Sequence, residues 1–391
     1  MPRIANITDF RAEAKRRLPS MIFNYIDGGA YAETTLARNV DDLNAIALRQ
    51  RVMKDVSSLS MGVALFGQKL PLPVILGPIG MAGLYARRGE VQAAQAAQKA
   101  GVPFTLSTVS ICSLEEVCAA VTAPPWFQLY MIKDRGFMAA LLERAKAAGV
   151  PVLMFTVDLP TPGSRYRDVR TGLAGALSLG ERVAKAVETA SHPAWIWDVG
   201  VNGRPHGFGN IMGAVEGAKG PGDFQTWVGQ NFDPSVTWAD IEWVRARWDG
   251  PIVIKGVLDP EDARQAVAHG ADGIVVSNHG GRQLDGVLSG ASALPPIVQA
   301  VGDRTTVLMD GGVRSGLDVL KALSLGAKGV MLGRAWAFAL AAKRGEGVSH
   351  MLRILKSELR VAMMLTGCTD VRDAGPDLLV ERETPWPLNR P

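Results

Sequence analysis

Eight apolar runs recur along the chain, and amphipathic segments separate most of them. The runs are Leu70–Pro78, Val102–Thr108, Trp126–Met131, Pro151–Leu159, Pro251–Val257, Ala271–Ser277, Thr305–Gly311 and Ala327–Gly333. They are short, rich in branched residues and bounded by glycine, proline or polar residues. Such runs read as strands buried on both faces, as in a parallel sheet. Between them lie segments such as GEVQAAQAAQKAG, DRGFMAALLERAKAAG and GLDVLKALSLG. Aspartate or serine opens most of these segments and glycine closes most, as helix capping predicts. Eight strand–helix repeats predict a (β/α)8 TIM barrel formed as a single domain over 1–391. A doubly wound sheet would need a glycine-rich turn after its first strand. The turn present, GPIGMAG, is a poor match to a dinucleotide fingerprint.

The repeat is broken once, by a long insertion (172–240) after the fourth strand. Gly172–Ser191 reads as a helix, the part around His192–Gly222 holds Trp195 and Trp197 and then many glycines, and Asp240–Asp249 reads as a helix leading back. The insertion is expected either to pack on its own barrel or a neighbouring subunit, or to lie on a membrane interface. Helices before Leu70 are expected to cover the barrel bottom or, through Tyr25, to reach over the site.

Composition narrows the class only a little. The net charge is +4 over 391 residues, which does not suggest nucleic acid but permits contact with anionic lipid. The three cysteines, Cys112, Cys118 and Cys368, show no metal spacing. The N-terminus is polar, without the pattern of a signal peptide, and no run is long and apolar enough for a transmembrane helix.

The chemistry concentrates where strands end. Ser277–Gly286 reads SNHGGRQLDG directly after the run ADGIVV. It offers a proton-transfer group, His279, and a fixed cation, Arg282, around paired glycines that let a ligand approach the backbone. A base and a carboxylate grip so placed suit chemistry on a small acid. His192, His206 and His350 have no convergent partners in the sequence, and His269 reads as the last turn of a helix. Other polar strand ends are Gln128 with Tyr130, Thr156 with Asp158, Lys255 and Asp310. The last two repeats end in Asp310-Gly311-Gly312-Val313-Arg314 and Gly333-Arg334. Barrels often bind phosphate between these two loops. The occupant could be a cofactor or a phosphorylated substrate, so an isomerase or synthase barrel stands as a rival reading, as does an inactive binding barrel.

With these residues assembled, the chain resembles the FMN-dependent L-2-hydroxy-acid oxidoreductases. SNHGGRQLDG, FQLY, TVDLP and DGGVR match in order, and the likeness runs from NYIDGGA to the Gly333-Arg334 turn. Strings such as YARRGEVQAA, FTLSTVS, RYRD, NGRPH and NFDPS are most similar to the quinone-linked respiratory branch that acts on L-lactate. The resemblance implies FMN as cofactor and His279 as the base, with Asp158 stabilising its imidazolium. It implies Arg165 and Arg282 as the carboxylate clamp, with Tyr25 and Tyr130 bonding the substrate oxygens. Pro78, Ile79 and Gly80 would lie beneath the isoalloxazine, and Ser107, Gln128 and Thr156 at its polar edge. Lys255 would stand near N1/O2, and Ser277 would be a further flavin contact. Asp310, Gly311, Gly312, Arg314, Gly333 and Arg334 would hold ribityl and phosphate. Val109, Met81 and Pro162 are expected to wall the substrate pocket, leaving room for a methyl group. The implied reaction converts a 2-hydroxy acid such as L-lactate to the 2-oxo acid. Electrons would pass through the flavin to membrane quinone, in a peripheral homotetramer on the cytoplasmic face of the inner membrane. An oxygen-using oxidase and a dehydrogenase of a larger acid such as mandelate are the alternatives.

Overall fold

The computed structural model describes residues 3–175, 177–211, 227 and 229–380. Each of the eight apolar runs contains one barrel strand: β3 (Val74–Leu76), β4 (Thr105–Ser107), β5 (Trp126–Leu129), β6 (Leu153–Thr156), β7 (Ile252–Val257), β8 (Gly273–Val276), β9 (Thr306–Asp310) and β10 (Gly329–Leu332). The strands are parallel and ordered β3-β10-β9-β8-β7-β6-β5-β4. A parallel bridge from Leu76 to Phe104 joins β3 to β4 and closes the ring.

Strand alternation divides the core into two. Ile75, Trp126, Met154, Val253, Val275, Leu308 and Met331 fill the barrel interior. Their neighbours, such as Leu76, Phe127, Phe155 and Ile254, pack outward against the helices. This explains why the strands read as continuous apolar runs rather than alternating ones.

The first run opens on the last residue of a separate strand. β2 (Gln68–Leu70) pairs antiparallel with β1 (Val63–Leu65) in a hairpin turned at Phe66 and Gly67, whose φ values are 48° and 77°. Leu65 and Leu70 join the interior cluster, and the Phe66 ring meets the Trp126 ring edge-on at 5.6 Å. The hairpin therefore plugs the N-terminal mouth of the barrel.

With that mouth plugged, the helix Ser20–Asp27 goes to the opposite end and carries Tyr25 and Ile26 over the strand C-termini. It is tied there by Ala30 N–H donating to Gly281 O at 2.8 Å. The first helix, Ile7–Arg17, packs instead on the long helix Arg334–Thr366, which breaks at Lys343 and Arg344.

The insertion follows its expected outline in part. A helix spans Leu179–Ala190, started by a capping box between Ser178 and Glu181. A short turn, Pro193–Trp195, runs into Ile196–Val201, and Trp195 Nε1 donates to Leu84 O at 2.8 Å, anchoring the segment to the barrel. The return helix is Ala239–Arg245. The glycine-rich stretch 212–222 lies outside the described residues. Among the described residues no helix is long and apolar enough to cross a membrane, and no cluster has the make-up of a metal site.

Candidate active site

The strand C-termini carry a continuous belt of polar side chains. Ser107 Oγ donates to Gln128 Oε1 at 2.6 Å, and Gln128 Nε2 donates to Thr156 Oγ1 at 2.9 Å. Further round, Lys255 Nζ donates to Ser277 Oγ at 2.9 Å and forms an ion pair with Asp310 Oδ2 at 3.0 Å. Burial pulls the Lys255 pKa down, but Asp310 and Asp158 outweigh it and hold the ammonium above its ordinary value. Asp310 Oδ1 has no partner among the described residues.

Just beyond β8, the backbone of His279, Gly280 and Gly281 runs through three successive positive φ values, 56°, 65° and 72°. Glycine takes this conformation freely, whereas histidine is strained in it. The turn aims the imidazole at Asp158, whose Oδ1 lies 2.8 Å from Nδ1. Tyr130 Oη is 3.5 Å from Nε2. Burial depresses the His279 pKa below its ordinary value and Asp158 only partly offsets this; Asp158 itself stays ionised despite burial, through His279 and Lys255. A neutral imidazole with a carboxylate on its far nitrogen is a general base whose conjugate acid is already provided for. The acid limb of kcat/KM should therefore lie below pH 6.5, falling tenfold per pH unit as His279 protonates. In Asp158→Asn the limb should move further toward acid while the plateau drops, because the carboxylate is what opposes burial. A pH–rate profile of both proteins checks this, and a limb above pH 6.5 in the parent protein contradicts it.

Four arginines converge on the same cleft. The Arg282 guanidinium lies over the Tyr25 ring at 4.8 Å, and its Nη1 donates to Tyr25 O and Gly28 O. Its Nε and Nη2 have no protein partner among the described residues. Arg165 is braced by Arg282 O and Gln283 Oε1, both at 3.2 Å. Burial and then Arg282 push its pKa down to about 10. Arg334 donates to three backbone oxygens, Ile26, Gly28 and Gly280. Among the described residues the Arg314 guanidinium makes one bond, to Val313 O, while the backbone N–H donates to Asp318 Oδ2, and burial lowers the guanidinium pKa to about 10. Arg165 has Asp168 Oδ2 at 3.9 Å, but no carboxylate lies within ion-pair distance of Arg282, Arg314 or Arg334 among the described residues. Cations crowded together without counterions make an anion site.

The cleft holds about 1210 Å³ of empty space, counting its open mouth. Pro78, Ile79, Gly80, Gln128, Lys255, Asp310, Gly311, Gly312, Arg314, Gly333 and Arg334 line it together with Tyr25, Tyr130, Arg165, His279 and Arg282. A Cβ at Gly333 would meet nothing within 4 Å, so that glycine faces open space. Ser107 and Thr156 brace Gln128, while Ser277 Oγ accepts from both Lys255 and the His279 N–H. Val109 and Pro162 line the cleft as expected, but Met81 is buried away from it. Tyr85, Leu159 and Phe232 line it without having been singled out. Phe232 arrives from the insertion and packs on Tyr130, ring centroids 5.0 Å apart. Gln283, also unforeseen, ties Arg165 to the backbone of Asp158 and Thr161.

The family model for FMN-dependent dehydrogenases matches residues 14–381. This chain belongs to that family. It is 58% identical to the L-lactate dehydrogenase of Caulobacter vibrioides over 379 residues, covering 97% of this chain and 98% of that one. It is 57% identical over 378 residues to the L-lactate dehydrogenase of Acinetobacter baylyi, with the same coverage. Among solved structures, a mandelate oxidase superposes with TM-score 0.82 at 38% identity, covering 97% and 98% of the two chains. The monotopic membrane protein (S)-mandelate dehydrogenase superposes with TM-score 0.90 at 33% identity, covering 97% and 100%.

FMN is thus the cofactor of this enzyme, and the residues present fit it. Arg314 and Arg334 are largely buried cations without carboxylate partners among the described residues, as a phosphate monoester requires. Gly333 leaves space beside them. The orphaned Asp310 Oδ1 is an acceptor suited to a ribityl hydroxyl.

Proposed function

We propose that this flavoenzyme oxidises L-lactate to pyruvate, with His279 as the base. The observation that carries the reading is the convergence of the His279–Asp158 pair with Arg165 and Arg282 in one cleft. Arg165 and Arg282 bind the substrate carboxylate, their planar forks matching its geometry. Tyr130 and His279 then face the hydroxyl, and His279 Nε2 takes a proton from the substrate while Asp158 holds Nδ1–H. The cofactor, when bound, accepts the two electrons. Pro78, Ile79 and Gly80 would support its ring, Gln128 would bond the ring's polar edge, and Lys255 would supply positive charge beside it. Gly311, Gly312 and Arg314 would hold the ribityl phosphate with Gly333 and Arg334. Val109, Leu159, Pro162 and Phe232 offer a small apolar wall for the methyl group. The high identity to enzymes named L-lactate dehydrogenase supports the same substrate.

The test is an anaerobic titration of the yellow protein. L-lactate should bleach the flavin and D-lactate should not. Failure to bleach with L-lactate, with bleaching by mandelate instead, would move the assignment to larger 2-hydroxy acids. Recovery on a quinone analogue faster than in air would support quinone as acceptor.

A peripheral membrane position belongs to the same reading. The helix Leu179–Ala190 buries none of its side chains, and Leu179, Val183 and Val187 form one exposed stripe at 79%, 57% and 66%. Trp197 nearby is 67% exposed. Side chains four residues apart share a helix face, and burying each in an acyl layer is worth about 1.5–3 kcal/mol. Replacing Leu179, Val183 and Val187 together by glutamine should lower membrane partitioning more than tenfold. Lactate-dependent dye reduction should not change. Flotation with vesicles checks the first, and unchanged partitioning rejects the assignment.

A further inference from the structure

A second cleft, away from the active site, is lined by five cations. It lies between the helix Gly89–Ala100 and the break in the helix Arg334–Thr366, and holds about 1130 Å³ of empty space counting its open mouth. Arg87, Lys99, Lys343, Arg344 and Arg353 line it, against Glu346 as the acidic residue of the wall. Asp198, from the insertion, lies 2.8 Å from Arg344 and 3.7 Å from Arg87. Lys99, Lys343 and Arg353 have no carboxylate within ion-pair distance among the described residues.

The cations are held by built structure. Lys343 has φ −143° and ψ 26°, and Arg344 has φ 56° and ψ −149°. The latter region is nearly reserved for glycine. Gly345 stands next in the chain, yet the strain falls on Arg344, which turns its side chain to Asp198. The two rims are fastened together: Gly345 N–H donates to Gln92 Oε1 at 3.0 Å, and Gln92 Nε2 donates to Arg87 O at 2.6 Å. Burial and then Arg353 and Lys343 lower the His350 pKa, which shows the positive field reaching its neighbours.

We propose that this cleft binds a phosphate-bearing anion. Lysine ammonium groups and arginine forks together suit phosphate oxygens, and Gln92, Gln95 and Ser349 add neutral polar groups to the lining. The phosphate could come from a free polyphosphate or from an anionic lipid headgroup. Asp198 lies in Ile196–Val201, the segment that also exposes Trp197, so the cleft adjoins the surface assigned above to the membrane.

The test uses the FMN-loaded enzyme, so that the flavin phosphate site is filled. The variant is Lys99→Gln, Lys343→Gln, Arg353→Gln, three exposed residues outside the catalytic cleft, whose flavin spectrum and turnover should match the parent. Inorganic pyrophosphate is titrated calorimetrically. Flotation compares phosphatidylcholine vesicles with an equal mixture of phosphatidylcholine and phosphatidylglycerol. Pyrophosphate binding that weakens about tenfold or more in the variant supports the site with a free phosphate as source. A gain in flotation on phosphatidylglycerol that the variant loses, without pyrophosphate binding, supports it with a lipid headgroup. Parent and variant behaving alike in both assays overturns the proposal.

Discussion

His279→Gln is expected to lower kcat for L-lactate by about 10²–10⁴-fold, the usual contribution of a positioned general base. The glutamine still fills the space and can bond Asp158, but it cannot take a proton. The cofactor should remain bound, because Arg314, Arg334 and the glycine turns are untouched. The flavin spectrum of the oxidised protein should therefore be preserved, and substrate should bind without bleaching it. Stopped-flow reduction isolates this step from reoxidation. A variant that reduces at the parent rate would transfer the base to another group, and no other imidazole lines the cleft.

The second large effect concerns substrate capture. Arg165→Leu is expected to reduce kcat/KM by about 30- to 4000-fold, the range for removing one partner of a desolvated charge pair at 2–5 kcal/mol. Most of the loss should appear in KM if the carboxylate is gripped alike in the ground and transition states. Arg165→Lys should recover only part, because an ammonium keeps the charge and loses the fork. The unliganded variant should not be much less stable than the parent. Arg165 faces Arg282, a like charge that, after burial, pushes its pKa down to about 10 against the weaker pull of Asp168 at 3.9 Å. Thermal unfolding with and without oxalate, a substrate-like dianion, measures both halves. If oxalate stabilises parent and variant equally, Arg165 does not hold the carboxylate.

Much of this was visible in the chain alone, for a physical reason. A parallel strand buried on both faces announces itself as an apolar run, and the polar residue that ends it marks the functional face. Lys255, His279 and Asp310 were legible on that basis. Their partners were less so. The Gln68–Leu70 strand was hidden because only Leu70, the first residue of the apolar run, enters the same interior as Ile75 of β3, while Gln68 and Lys69 are polar. Phe232 sits far along the insertion and meets Tyr130 only through the fold. Ser107, Thr156 and Ser277 were named through the family resemblance, and the fold adds that they hold Gln128, Lys255 and the His279 backbone in place. The break falls on Lys343 and Arg344 rather than on Gly345 or Gly347, the residues by which the local sequence marks it.

The turn after β8 has a consequence for how this enzyme can be improved. Its base occupies a left-handed backbone that glycine or asparagine would adopt at lower cost. Mutants selected for heat tolerance alone should accumulate replacements at position 279 and emerge folded, yellow and inert. Stabilising this fold while keeping turnover means searching elsewhere, on the regular parts of the barrel's outer helices.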